Sequence, residues 1–173
     1  MSDPTRILIA DDHQMVRESL IAMLSDESDF EVVGEAENGL SCIERALELD
    51  PDVIVMDLTM PELNGIEASR RLKQQRPTIR IVALTSHSDR QYVAESLRAG
   101  VDGYVVKSAA YDELRRAIRA VVGGNHYLCP EIQSVVIGVG FRPGIRALEE
   151  SPPSLSPRET EIVQMIAEGQ TTQ

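Results

Sequence analysis

In this chain of 173 residues, three carboxylates, a hydroxyl and an amine stand at the ends of short apolar runs. Asp11 and Asp12 follow Ile7-Leu8-Ile9-Ala10, and Asp57 follows Val53-Ile54-Val55-Met56. Thr85 closes the run that begins at Ile79, and Lys107 follows Tyr104-Val105-Val106. Three carboxylates drawn together repel, and their pKa values rise unless a cation intervenes. A hard divalent ion with oxygen ligands removes the conflict, and at a phosphate-handling site that ion is usually Mg²⁺. On this chemistry Asp12 and Asp57 are direct ligands and Asp11 acts through water. The Asp57 oxygen then attacks a phosphoryl group in line. Lys107 supplies a point charge for the phosphoryl oxygens and Thr85 a hydroxyl donor. Backbone N–H groups just after Asp57 and Thr85 complete the cradle.

Each residue also has a plainer reading. Asp12 precedes a helix and would serve as its N-cap. Asp57 ends a strand at a turn, where Asp is common. Thr85 could bond locally, and Lys107 could be an exposed strand-end lysine. The set as a whole carries the chemistry, because every plain reading must hold at once for the site to be absent.

The elements that must position these residues follow from the apolar pattern. Strands are expected over 7–10, 31–35, 53–56, 79–84 and 104–106. Helices are expected over 13–25, 40–49, 66–75, 89–99 and 110–122. Asp50-Pro51, Pro77, Gly100 and Gly123-Gly124 stop them. Five βα units whose strands lack alternation argue for an α/β flavodoxin-like doubly wound fold. Its five-stranded parallel sheet has order 2-1-3-4-5, with helices on both faces. In that order the first and third strands flank the switch point, and ligands bind outside the carboxyl ends of the strands there. From Asn125 the texture changes, with Gly138, Gly140, Pro143, Gly144, Pro152 and Pro153. A short helix near 130–136 and then a linker are expected. Ser156, Pro157 and Glu159 open a further amphipathic helix that Gly169 ends.

Net charge is −11, from 17 Lys+Arg against 28 Asp+Glu, a field that repels a polyanion such as DNA. Arg115, Arg116 and Arg119 read as the solvated face of a helix. Cys42 and Cys129 match no metal spacing and read as reduced thiols. The chain has no run of eighteen apolar residues and no basic-then-apolar leader, so a cytoplasmic location is expected.

Residues 6–122 resemble the receiver domain of two-component response regulators. The resemblance rests on Asp11-Asp12, Asp57-Leu58-Thr59-Met60-Pro61 with Gly65 beyond, Leu84-Thr85, and Gly103-Tyr104-Val105-Val106-Lys107. The resemblance implies that Asp57 is phosphorylated by a histidine kinase, that Asp11 and Asp12 serve Mg²⁺, and that the Thr59 backbone carbonyl is a further ligand. It makes Thr85 and Tyr104 a switch pair, and it implies that residues at His87 and Thr59 tune how fast phosphate is lost to water; the plainer reading of His87 is an exposed loop histidine. Ile9-Ala10-Asp11-Asp12-His13, the Lys107-Ser108 ending and Leu155-Ser156-Pro157-Arg158-Glu159 resemble the NarL/FixJ class, whose output is a LuxR-type helix-turn-helix.

The organisation so implied is a receiver over 1–124, a linker over 125–153 and the start of a helix-turn-helix over 154–173. A homodimer forms on phosphorylation, through 13–25 and 110–122 or through the 89–122 face. The parent would bind DNA to regulate transcription. This chain, which stops before a recognition helix and carries one Arg against Glu159, Glu161 and Glu168 from Ser151 onward, would not. Two other readings stand beside this one. A magnesium-dependent aspartyl-phosphate phosphohydrolase would want a second aspartate where Thr59 stands. A receiver-like interaction module would take no phosphate.

Overall fold

Val53-Ile54-Val55-Met56 is apolar at every position because the strand it forms has neighbours on both sides and helices over both faces. In a computed structural model of the chain, which describes residues 2–109 and 111–138, all four of these residues are buried. This strand, β3 (Val53–Met56), lies between β1 (Thr5–Ala10) and β4 (Arg80–Thr85). Beyond them lie β2 (Phe30–Ala36) on one side and β5 (Gly103–Val106) on the other. All pairings are parallel. The helices α1 (Gln14–Ser25), α2 (Gly39–Leu49), α3 (Gly65–Gln75), α4 (Arg90–Arg98) and α5 (Tyr111–Val122) alternate with the strands. Their apolar stripes close a core that includes Ile7, Ile9, Leu24, Ile54, Leu72, Ile81, Leu97 and Ile118. Each such side chain fully withdrawn from water contributes roughly 1.5–3 kcal/mol against chain entropy.

Among the described residues the sheet has six strands, one more than expected. Gly124 takes a positive φ of 89° that turns the chain back toward β5. Tyr127 N–H then donates to the Asp102 carbonyl at 3.1 Å, and Cys129 N–H to the Tyr104 carbonyl at 3.0 Å. The resulting β6 (Tyr127–Leu128) extends the order to 2-1-3-4-5-6 and covers the open edge of β5. A two-residue strand has no periodicity to read. It is followed by α6 (Pro130–Gly138). The expected linker beyond Gly138 and the helix over 156–168 lie outside the described residues.

Side-chain caps set where the helices begin. Asn38 and Ser41 form a reciprocal capping box at α2, and Asn64 and Asp89 accept from the N–H groups of Glu67 and Tyr92. The α1 cap is His13, with no side-chain cap bond, so Asp12 is not spent on capping.

Candidate functional site

The ladder itself delivers the reactive groups to one edge. Past the end of β1, Asp11 N–H donates to the Ala36 carbonyl at 3.0 Å, and past β3 Asp57 N–H donates to Ala10 at 2.8 Å. Past β5, Lys107 N–H donates to Thr85 at 2.7 Å. Behind Asp57, the start of α3 packs so close that a Cβ on Gly65 would lie 2.2 Å from the Asp57 carbonyl oxygen. Glycine there is what lets the Leu58–Asn64 loop fold back beside the pocket.

Asp11 and Asp57 are buried, at 2 % and 4 % exposure. The Lys107 ammonium lies between them, 2.8 Å from Asp11 Oδ2 and 3.1 Å from Asp57 Oδ2. Asp57 Oδ1 accepts from Thr59 N–H at 3.2 Å. Burial pushes the Asp57 carboxyl above its usual range, and the nearby Asp11 charge adds to this. The Thr59 N–H and Lys107 act in the opposite direction without cancelling it. Burial pulls Lys107 down, but its hydrogen bond to Asp11 and the charges of Asp57 and Asp11 more than offset that, leaving it raised.

Asp11, Asp12, His13 and Asp57 each offer one ligand atom, and all four atoms lie within 4.8 Å of one another. Three carboxylates against one ammonium leave two negative charges, which suits a divalent cation. The hard oxygen donors, buried at Asp11 and Asp57 and open to solvent at Asp12, suit one of the magnesium type. Arg17, a side chain not singled out by the motif pattern, braces this corner. Its Nη1 donates to the Asp11 carbonyl at 2.7 Å and its Nε to Glu35 Oε1 at 3.0 Å. The one hint in the sequence is a cation at helical spacing from Leu20 and Leu24, on the apolar face of α1.

Thr85 and Tyr104 join the site through a loop. The Thr85 hydroxyl, fully buried, accepts from His87 N–H at 3.3 Å. The Tyr104 ring is inward and fully buried, and its hydroxyl donates to the His87 carbonyl at 2.7 Å. Burial pushes the Tyr104 hydroxyl far above its ordinary range, so it remains a donor. His87 in turn stacks on Tyr92 with centroids 4.2 Å apart, and its Nε2 is 2.9 Å from Thr59 Oγ1. His87 is therefore tied to the pocket rim. The Tyr92 contact had no signal in the motif spacing.

Residues 7–119 match the family model of the response regulator receiver domain. The chain belongs to the response regulator receiver family. It is 38% identical over 163 residues to the response regulator GacA of Pseudomonas aeruginosa, covering 94% of this chain and 75% of that protein. It is 36% identical to the response regulator VraR of Staphylococcus saprophyticus, covering 98% of this chain and 79% of that one. Among solved structures, a LuxR-family response regulator from Aurantimonas superposes with a TM-score of 0.77 at 34% identity. That match covers 79% of this chain and 98% of the other. The NarL/FixJ and LuxR resemblance thus holds over three quarters or more of the length of these relatives, and the chain is a two-component response regulator. Among the described residues no helix is long and apolar enough to cross a membrane.

Proposed function

We propose that Asp57 of this response regulator takes a phosphoryl group from a phosphohistidine of a histidine kinase, and that the modified receiver regulates transcription through a LuxR-type helix-turn-helix. What carries the reading is the Lys107 ammonium held between two buried carboxylates, 2.8 Å from Asp11 and 3.1 Å from Asp57. An Asp57 oxygen forms the new O–P bond. The P–N bond breaks, and its electron pair returns to the donor imidazole, which takes a proton from solvent. Lys107 holds the phosphoryl oxygens by charge, and the Thr59 N–H, already directed at Asp57, adds a fixed donor. Asp11, Asp12, Asp57 and the Thr59 carbonyl would hold Mg²⁺, which when bound neutralises charge on the carboxylates and on the phosphoryl oxygens.

Thr85 and Tyr104 are the switch pair. Both bond to the backbone of His87, so a Thr85 hydroxyl drawn to phosphate gives up the His87 N–H and shifts the loop that Tyr104 also grips. A receiver over 1–124 with a linker over 125–153 and a helix-turn-helix segment from 154 is the organisation we propose. In it, β6 and α6 are the part of the linker fastened to β5. Phosphorylation then favours a homodimer. The phosphohydrolase reading has no observation in its favour, since Thr59 offers a hydroxyl where a general acid is wanted.

The test is intact mass after incubation with Mg²⁺ and acetyl phosphate. One added phosphoryl group, absent in Asp57→Ala, is expected. Continuous turnover of phosphate esters, or no adduct and no response to beryllofluoride, would overturn the reading.

A further inference from the structure

The pocket contains a donor atom that is not an oxygen. His13 caps α1 with its backbone alone, and its ring is not used for helix capping. The ring turns instead toward the acidic pair, with Nδ1 3.2 Å from Asp11 Oδ1 and 3.1 Å from Asp12 Oδ1. The His13 backbone N–H fixes the same carboxylate, donating to Asp11 Oδ1 at 2.8 Å. Asp11 therefore has two sides. Oδ2 faces Lys107, and Oδ1 faces His13 and, beyond it, Asp12.

We infer that His13 is a metal ligand, and that the pocket is a mixed nitrogen and oxygen site which takes a first-row transition ion more tightly than magnesium. The inference rests on the proposed cation site of the receiver and adds to it the identity of the preferred ion. The ring nitrogen is one of four ligand atoms that lie within 4.8 Å of one another. Nδ1 is already directed at the gap between Asp11 and Asp12, so ligation needs only a small closing of the group. The ring is 68% exposed, so it has room to turn onto an ion. Magnesium gains little from an imidazole, because it favours hard oxygen and keeps its waters. Manganese, cobalt and nickel gain progressively more from nitrogen. A site with only carboxylate and carbonyl donors would show a shallower gradient.

The test measures binding of Mg²⁺, Mn²⁺ and Co²⁺ to the full 173-residue chain and to His13→Ala. It is paired with pulsed electron paramagnetic resonance of the Mn²⁺ complex to detect nitrogen bound to the ion. Loss of even an outer partner of a metal ligand costs about 10–100-fold in affinity. His13→Ala should therefore weaken Co²⁺ by at least about tenfold, Mn²⁺ by less, and Mg²⁺ least. Nitrogen coupling should be present in the parent chain, persist in His87→Ala and vanish in His13→Ala. Absence of nitrogen coupling in the parent, or equal losses for all three ions, overturns the assignment while leaving the cation site in place. Binding of none of the three ions would instead sink the cation site itself. The spectroscopic signal comes from the unmodified chain, so it does not depend on how the variant folds.

Discussion

At the carboxyl ends of the strands, Asp11 and Asp57 share one ammonium with Asp12 close by, and the Asp57 carboxyl is raised. At the amino ends the acids have bases of their own. Asp102 Oδ2 accepts from Lys73 at 2.7 Å and from Ile81 N–H at 2.9 Å. In the turn before β2, Glu27 accepts from Arg115 and Arg119, and Asp29 accepts from Arg119 through both oxygens. Glu27 and Asp29 are held below their usual range by those arginines. One edge of the sheet is left with surplus negative charge, and the other is balanced by the protein's own groups. Binding a cation or a phosphoryl group needs the first arrangement, and holding the fold together needs the second. Arg115 and Arg119 are thus fasteners to the α1–β2 turn, not the freely solvated face that their spacing on α5 suggested.

The largest effect is expected where the balanced edge is most buried. Asp102 is 1% exposed, and Asp102→Ala would leave the Lys73 ammonium facing the hole and the Ile81 N–H without its acceptor. Removing one partner of a buried pair costs about 3–5 kcal/mol. Urea unfolding should show that loss. A change below about 1 kcal/mol, the range of exposed pairs, would mean the amino edge is not the stabilising one.

A smaller effect of opposite sign is expected at the other edge. The raised Asp57 carboxyl means that its ionised form is disfavoured in the fold. For such a group the stabilising contribution is full below the ordinary value near 3.8 and is lost as pH rises through the folded value. At neutral pH without divalent ions, Asp57→Asn should therefore stabilise, by about 1 kcal/mol or roughly 2–4 °C in a chain of this size. Saturating Mg²⁺ should reverse the order, since the parent alone then has all three carboxylates for the ion. A variant that melts below the parent in chelator would remove the case for surplus charge at Asp57.

Both edges were unequally legible before the fold was known. Asp11, Asp12, Asp57, Thr85 and Lys107 could be placed at one edge because each ends an apolar run, and parallel strands put all such ends on the same side. That inference needs only direction, not register. The amino-edge pairs depend on which turn meets which helix, and Arg115 and Glu27 are 88 positions apart. No local pattern relates them. The same applies to Arg17, whose partners are a backbone carbonyl and Glu35, and to Tyr92, which meets His87 only after α4 has packed. His13 is the intermediate case. It stands first in the helix expected over 13–25 and is the N-cap of α1, but its ring Nδ1 lies 3.2 Å from Asp11 Oδ1, a contact that spacing cannot reveal.

The smallest expected effect separates charge from packing at the amino edge. Arg119 bonds Glu27 and Asp29, and its guanidinium also lies over the Phe30 ring at 4.9 Å from the centroid. If the ion pairs dominate, linkage fixes the sign. Glu27 and Asp29 are depressed, so their contribution is present above ordinary values near 4.5 and 3.8 and is lost as pH falls through the folded values. The midpoint difference between the parent chain and Arg119→Ala should then shrink below about pH 4. It should also shrink in 1 M salt, where the screening length is about 3 Å. That pH trend opposes the one at Asp57, so the two edges should titrate in opposite directions within one protein. A difference that survives both acid and salt would assign Arg119 to the face of Phe30, and the contrast between the edges would then rest on Asp102 alone.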